Sequence, residues 1–447
     1  MATTATTGER TLLDMNRYQW TVLFAAWLGW GFDVFDGLLF NFVAPNCVPT
    51  LLGLELGTLE AKAATLRWTG VLTTILLLGW AVGGILFGAI TDRIGRTRTL
   101  LLTMALYSLG TAACALAPNI WVLIACRVVA SLGIGGEWAA GASMVAEVVP
   151  EHRRVEAGAL LYTSAPLGLF LATFVDWYIA GHLLLDDPAS SWRYVFLCGL
   201  IPSAVAFLVR LFVKEPERWH DATKDQAPPT LADLFTPGMA RITLGGLAMA
   251  VVALLTWWSC NAFIAMVATG LATKHAHAVG VPASEIPELV ASWKKAANYY
   301  FNFGGLVGTL LTIPIAKKLG RKTMFGLYFA AAGVAILLAF GLDLAPETRL
   351  AMYFPIGLSV FGVFGSFTYY LPELYPTRLR GTGSGFCYNA GRVVAAGGPW
   401  IVAAIAARGA DAFDSAVTVL FYVGFVPLAG LLLLPFVTET KDLALTD

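Results

Sequence analysis

Long apolar runs separated by short polar breaks dominate the chain. Each run reaches roughly 20 residues, enough for a helix to cross a hydrocarbon core of ~30 Å. They fall at about 18–45, 67–91, 98–117, 119–146, 155–181, 193–213, 240–271, 294–317, 323–342, 349–371, 381–407 and 414–437. This pattern predicts an all-α membrane protein of twelve transmembrane helices. The polar stretch from Lys214 to Pro237, with Pro228-Pro229 inside it, divides them into two sets of six. The expected organisation is an N-terminal half over 1–213, a linker over 214–239 and a C-terminal half over 240–447. Two pseudo-symmetric halves joined by a polar linker are the build of a repeat-based transporter.

Composition agrees with that reading. Hydrophobic residues make up 57% of the chain and charged residues 13%, against about 25% charged in a soluble domain. The lipid bilayer is the expected surrounding. A formal net charge of zero gives no electrostatic reason to expect a nucleic-acid partner. The six cysteines are scattered without metal-type spacing, and no disulfide framework follows from them. His275 and His277 read as solvated residues of an outer loop, with no carboxylate or Cys at ligand spacing. The polar first 17 residues carry no pattern of a removable leader. No nucleophile–base pair appears, so an enzyme is not expected.

Basic residues set the orientation. With both termini cytoplasmic, the inner loops hold Arg93, Arg96, Arg98, Arg153, Arg154, Lys214, Arg218, Lys224, Lys317, Lys318, Arg321, Lys322, Arg378 and Arg380. The outer loops are acidic, with Glu55, Glu60, Asp186, Asp187, Glu285, Glu288 and Asp343. A bacterial inner membrane is the expected location.

After the second run comes Gly88-Ala-Ile-Thr-Asp92-Arg93-Ile-Gly95-Arg96. The fourth run ends Glu147-Val-Val-Pro150-Glu-His-Arg153, and the tenth ends Pro372-Glu373-Leu-Tyr-Pro376-Thr-Arg378-Leu-Arg380-Gly381. The first stretch resembles the G-x-x-x-D-R-x-G-R signature of the major facilitator superfamily. The other two are similar to the P-E-x-x-P-x-x-x-R-G element of its sugar porters and organic-acid symporters. The resemblance implies a cytoplasmic latch built from Asp92, Arg93, Arg96, Glu147, Arg153, Glu373 and Arg378. Arg96 is expected to pair with an inner carboxylate such as Glu147. In the second half the latch is degenerate, with Lys317 where an Asp would stand, and no symmetric second latch is expected. Three shorter stretches resemble the sialate, aromatic-acid and metabolite:proton symporters: Asp33-Val-Phe-Asp36, Arg127 through Gly135-Gly136-Glu137-Trp138, and Gly385-Phe-Cys-Tyr388-Asn389-Ala-Gly391-Arg392.

Charges inside the apolar runs carry the functional reading. A carboxylate in hydrocarbon costs a few kcal/mol at least, about 2.5–3.5 on the mildest scale, and such residues mark ion or proton pathways. Asp33 and Asp36 lie three residues apart and share a helix face. Arg127 falls at a similar depth, so it pairs with either aspartate, permanently or until protonation. Glu137 is either a second proton carrier or the partner of an inner arginine. Arg392 lies near the midplane with no acidic residue at its depth in the second half. Its planar fork suits a carboxylate, and the alternative is a pair with Asp33 or Asp36. Arg127, Tyr388, Asn389, Asn261, Asn298 and Tyr369 complete the candidate substrate site, with Asn302, Trp138, Trp257, Trp258, Phe364, Phe367 and Tyr370 around it. The expected function is proton-coupled import of a small organic acid anion by a monomer, with protons as the coupling ion and no other cofactor. The alternative is a proton-coupled sugar or neutral-solute porter.

Overall fold

Capping signals place the helix starts where the apolar runs begin or slightly before. Asn16 accepts the Gln19 N–H while Gln19 returns a bond to the Asn16 N–H, both at 2.9 Å. This capping box opens α1, Arg17–Leu52. Thr58 caps α2, Leu59–Ile94, whose first turns, Leu-Glu-Ala-Lys-Ala-Ala, are strong helix formers and carry the helix well beyond the apolar run. α3 is Arg96–Ala115 and α4 is Ile120–Val148. The computed structural model describes residues 14–184, 186–224, 227–406, 412–443 and 445. Among these, helix is the only extended regular structure.

Several expected single helices are broken, and proline explains where. A proline has no N–H for the carbonyl four residues back. Pro166 separates α5, Arg154–Tyr162, from α6, Ser164–Tyr178. Pro202 separates α7, Pro188–Cys198, from α8, Leu200–Leu211. In each case the earlier piece ends at the residue four before the proline. The same holds in the second half. After α9, Glu217–Thr223, come α10, Met239–Val279, α11, Ile286–Leu319, and α12, Arg321–Gly341. Pro355 then ends α13, Pro346–Ala351, ahead of α14, Tyr353–Ile356, and a π-turn leads to α15, Phe364–Glu373. α16 is Arg380–Ala406. Pro427 parts α17, Ala412–Val423, from α18, Phe425–Leu431.

Ten stretches of the described residues are long and apolar enough to cross a membrane. α3 and α16 occupy the two remaining expected places but are not among the ten. α3 opens Arg-Thr-Arg, and α16 carries Arg380, Asn389 and Arg392 between several glycines.

The linker is more than a tether. α9 lies against the end of α2 and the start of α3, where Trp219 donates to the Asp92 carbonyl at 3.3 Å and its ring faces Arg96 at 5.8 Å. Elsewhere the two halves meet backbone to backbone where α2 crosses α16. A Cβ on Gly88 would stand 2.8 Å from the Gly381 carbonyl oxygen, and one on Gly385 2.6 Å from that of Gly84. Only glycine admits so close an approach.

Candidate functional site

One end of the bundle is closed by a buried polar cluster. Arg96 forks onto Glu147 with two bonds of 3.1 and 2.7 Å, the bidentate arrangement that favours arginine. It also reaches Asp92 at 2.6 Å and the Thr377 carbonyl of the other half at 2.9 Å. Asp92 spans the halves in turn. Its oxygens accept the Gly381 N–H at 3.1 Å, the Thr382 N–H at 2.6 Å and the Thr382 hydroxyl at 2.7 Å. It thereby caps the N-terminus of α16, where orphan N–H groups and the helix dipole favour an anion. Arg380 adds a 2.9 Å bond from α16 to Glu147. The turn before Arg96 needs Gly95 at φ 108, a left-side conformation that only glycine adopts easily.

The second half repeats most of this, contrary to the expectation drawn from Lys317. Arg321 forks onto Glu373 at 3.1 and 2.8 Å, after Gly320 at φ 91. Glu439 accepts the first two N–H groups of α12, at 2.9 and 3.0 Å, as Glu215 accepts those of Arg96 and Thr97 in α3. Arg154 approaches Glu373 at 3.6 Å across the halves, in the place of Arg380 against Glu147. Lys317 bonds Glu156 at 2.5 Å, and Glu156 is the third residue of α5 as Thr382 is of α16. The sequence departure therefore has a partner.

The two capping glutamates differ outside the spans. Burial pushes the Glu215 carboxyl up, against the pull of the Arg96 and Thr97 N–H groups. Burial acts upward on Glu439 too, but the Arg321, Lys322 and Lys441 N–H groups hold it below the usual carboxylate range. Other expected latch residues take different places. Arg93 bonds the Pro229 carbonyl at 3.2 Å, and Arg378 bonds that of Ala227 at 3.3 Å. Both grip the linker. Arg153 pairs with Asp14 at 2.8 Å and Glu156 at 3.1 Å.

Away from this closed end lies a cavity of about 270 Å³ between the halves. Its walls are largely aromatic, with Trp30, Trp80, Tyr162, Trp257, Phe364 and Tyr388 prominent. Asn41, Asn261, Asn298 and Asn302 supply amides, and Arg392 supplies a cation. The Arg392 guanidinium lies 4.2 Å from the Trp80 ring and 5.0 Å from that of Tyr388. Such faces attract a cation without neutralising it. Asn389 accepts from its Nη1, and its Nε has no hydrogen-bond partner among the described residues. No ion pair of Arg392 occurs among them either, so neither Asp33 nor Asp36 is bound to it. Tyr388 stacks on Trp138 of the other half, ring centroids 4.3 Å apart.

The remaining charges lie behind the cavity wall. Asp33, Asp36, Arg127 and Glu137 are all buried and none lines the cavity. The expected carboxylate pair of Arg127 is not formed. Arg127 donates to the carbonyls of Asp36 and Gly37, at 3.3 and 3.0 Å, and Asp36 takes the Thr111 hydroxyl at 2.6 Å. Glu137 has the inner arginine partner considered for it: Arg210 of α8 pairs with it, both almost fully buried.

Of the expected substrate residues, the structure brings Arg392, Tyr388, Asn261 and Asn298 to the cavity. Asn389 touches it only through Arg392. Tyr369 is displaced, facing Arg321 at 5.9 Å from its ring, because aromatic residues on several sides of α15 do not tell which face looks inward. Asn41 and Arg210 were missed, although each is a strongly polar side chain inside an apolar run and so carried a signal. His275 also departs from its reading, since it lies within α10 with Nδ1 against Glu347.

A helical bundle built for the membrane, shut at one end around a chambered interior, defines a carrier of small molecules. The Major Facilitator Superfamily model matches residues 20–399, and the chain belongs to that family. It is 28% identical over 386 residues to a probable 4-methylmuconolactone transporter of Cupriavidus pinatubonensis, covering 83% of this chain and 80% of that one. It is 25% identical over 388 residues to a gentisate transporter of Corynebacterium glutamicum, with 84% and 80% covered. Its fold matches the proton:xylose symporter XylE at a TM-score of 0.72 with 18% identity, over 95% of this chain and 97% of that one. The protein is therefore an integral membrane transporter of a small molecule.

Proposed function

We propose that the protein is a proton-coupled symporter that imports a small organic acid anion by alternating access. The observation that carries this reading is Arg392, a buried guanidinium facing the cavity with no carboxylate paired to it among the described residues. A desolvated charge must find a partner, and a substrate carboxylate would complete it. The relative named as a gentisate transporter supports an acid. In this reading all twelve helical segments span, α3 and α16 included, both termini are cytoplasmic, and the Arg96 cluster closes the cytoplasmic side of a bacterial inner membrane. A monomer is the transporting unit in this reading. Asp33 and Asp36 carry the coupling protons.

The four cavity amides favour a second reading, a hydroxyl-rich neutral solute, and one experiment separates the two. Protein in proteoliposomes with an acid exterior is offered mono-, di- and aromatic carboxylates and neutral sugars. Acid accumulation that collapses with a protonophore, and that Asp33→Asn and Asp36→Asn each abolish, is the expected result. Accumulation of a sugar that no acid competes with would move the assignment to the neutral porter.

A further inference from the structure

Behind the cavity, one acid lacks what the next has. Neither oxygen of Asp33 meets a hydrogen-bond partner among the described residues, although the side chain is fully buried. Glu137, also buried, is doubly held by Arg210 and by the Thr103 hydroxyl at 3.3 Å. The two acids are neighbours through Gly29. A Cβ there would stand 2.2 Å from an Arg210 nitrogen and 2.3 Å from a Glu137 oxygen, so α1 lies directly on the ion pair. Asp33 is four residues on from Gly29, hence on the same face one turn along, about 6 Å away. Arg210 Nε is itself without a hydrogen-bond partner among the described residues, as is the Tyr107 hydroxyl.

We propose that Arg210 is a positioning residue for proton coupling, shared between Glu137 and Asp33: it stays on Glu137 while Asp33 holds a proton and swings to the Asp33 carboxylate when that proton leaves. This rests on the proton-coupling reading of Asp33. Gly29 leaves the path open, since any larger residue would fill it. The charged and titratable groups acting on Asp33 are Asp36 on α1 itself, Glu137 on α4, Arg210 on α8 and Arg392 on α16. Tyr107 on α3 faces the same group, and Arg127 of α4 is engaged by carbonyls of α1. Of the three arginines, Arg210 alone already stands on a carboxylate one turn from Asp33. The proton itself passes to solvent, so Asp33, Glu137 and Arg210 together go from no net charge to one negative charge, which the single guanidinium divides between the two acids.

The test needs no substrate. Infrared titration of the intact protein in bilayers follows the protonated carboxyl band that Asp33→Asn removes. In the double variant Glu137→Gln/Arg210→Gln the pair is replaced by two amides, and Asp33 loses the cation that would receive it. Its midpoint should rise by about one unit, a tenfold tighter proton, while Arg210→Lys keeps the charge and stays near the wild type. An Arg210 that merely neutralises Glu137 would leave the double variant titrating as the wild type does, and that result overturns the proposal. So does the absence of any titrating band assignable to Asp33. Should that double variant not insert, Glu137→Gln/Arg210→Met, which also removes the pair as a neutral unit, is titrated with the same criterion. Failure of the underlying reading shows separately, as normal pH-driven accumulation by Asp33→Asn.

Discussion

Lys317 and Glu156 make the same cross-half contact that Asp92 makes with Thr382, with the carboxylate on the opposite side. The carboxylate belongs to the capping side chain in one contact and to the helix start in the other. Each closes the bundle between the end of one long helix and the third residue of a helix in the other half. Lys317→Glu would set two carboxylates face to face and weaken closure by about 1 kcal/mol, the scale of a partly exposed pair. Exchanging both residues, Lys317→Glu with Glu156→Lys, should restore it. Distances between spin labels across the closed end read the outcome, and a double variant as open as the single one would refute the pairing.

Asp92→Asn removes the charge that caps α16 from the other half. Hydrogen bonds to a charged group contribute about 1.5–3 kcal/mol, so the closed end should open more often and transport should slow. Substrate affinity should change less than tenfold, about 1.4 kcal/mol, because Asp92 lies outside the cavity. Equilibrium binding and initial uptake rates, measured on the same preparation, distinguish the two effects.

Arg392→Ala should weaken acid binding by about 2 kcal/mol or more, roughly 30-fold. Arg392→Lys keeps the charge without the fork and should fall between. Calorimetric titration of purified protein with the best acid of the transport panel measures both. Wild-type affinity in Arg392→Ala would remove the carboxylate role.

The capping glutamates should respond to pH in opposite senses. Glu439 is held below the usual carboxylate range, so its charge stabilises the fold at neutral pH and that contribution is lost as pH falls through its folded value. Glu439→Gln should therefore cost about 0.3–1 kcal/mol at pH 7, the usual worth of an anion at a helix start, and less in acid. Glu215 is pushed up by burial, so its protonated form favours the fold, a contribution present in acid and lost as pH rises through its folded value, and Glu215→Gln should be neutral or slightly stabilising at pH 7. Thermal unfolding in detergent at several pH values compares them.

The long apolar runs and the motif around Asp92 and Arg96 were enough to anticipate the helical bundle, the Arg96–Glu147 fork and the cavity position of Arg392. What escaped was set by contacts distant in sequence. Nothing near Lys317 announces Glu156, and no local pattern says that Arg210 reaches Glu137 or that Arg127 prefers carbonyls to Asp36. The helix ends at Tyr162, Cys198, Ala351 and Val423 were legible only after the fact: each stands four residues before a proline, yet Pro45, Pro49 and Pro314 lie inside unbroken helices. The inward face of α15 was not, because Phe367, Tyr369 and Tyr370 point to several sides of a helix whose residues Phe364 through Pro372 are all buried.

The glycine seam of α2 and α16 has a mechanical consequence. Side chains that interlock must change rotamer before two surfaces can slide, and each such change adds to the barrier. Where Gly88 packs on Gly381 and Gly385, backbone meets backbone with no side chain between them. The contact acts as a plain bearing, smooth in either direction, and the choice of position is left to the ionic clasps at its end. Larger residues at Gly88 or Gly385 would roughen that bearing and should slow both opening and closing together, where a clasp mutation speeds one at the expense of the other.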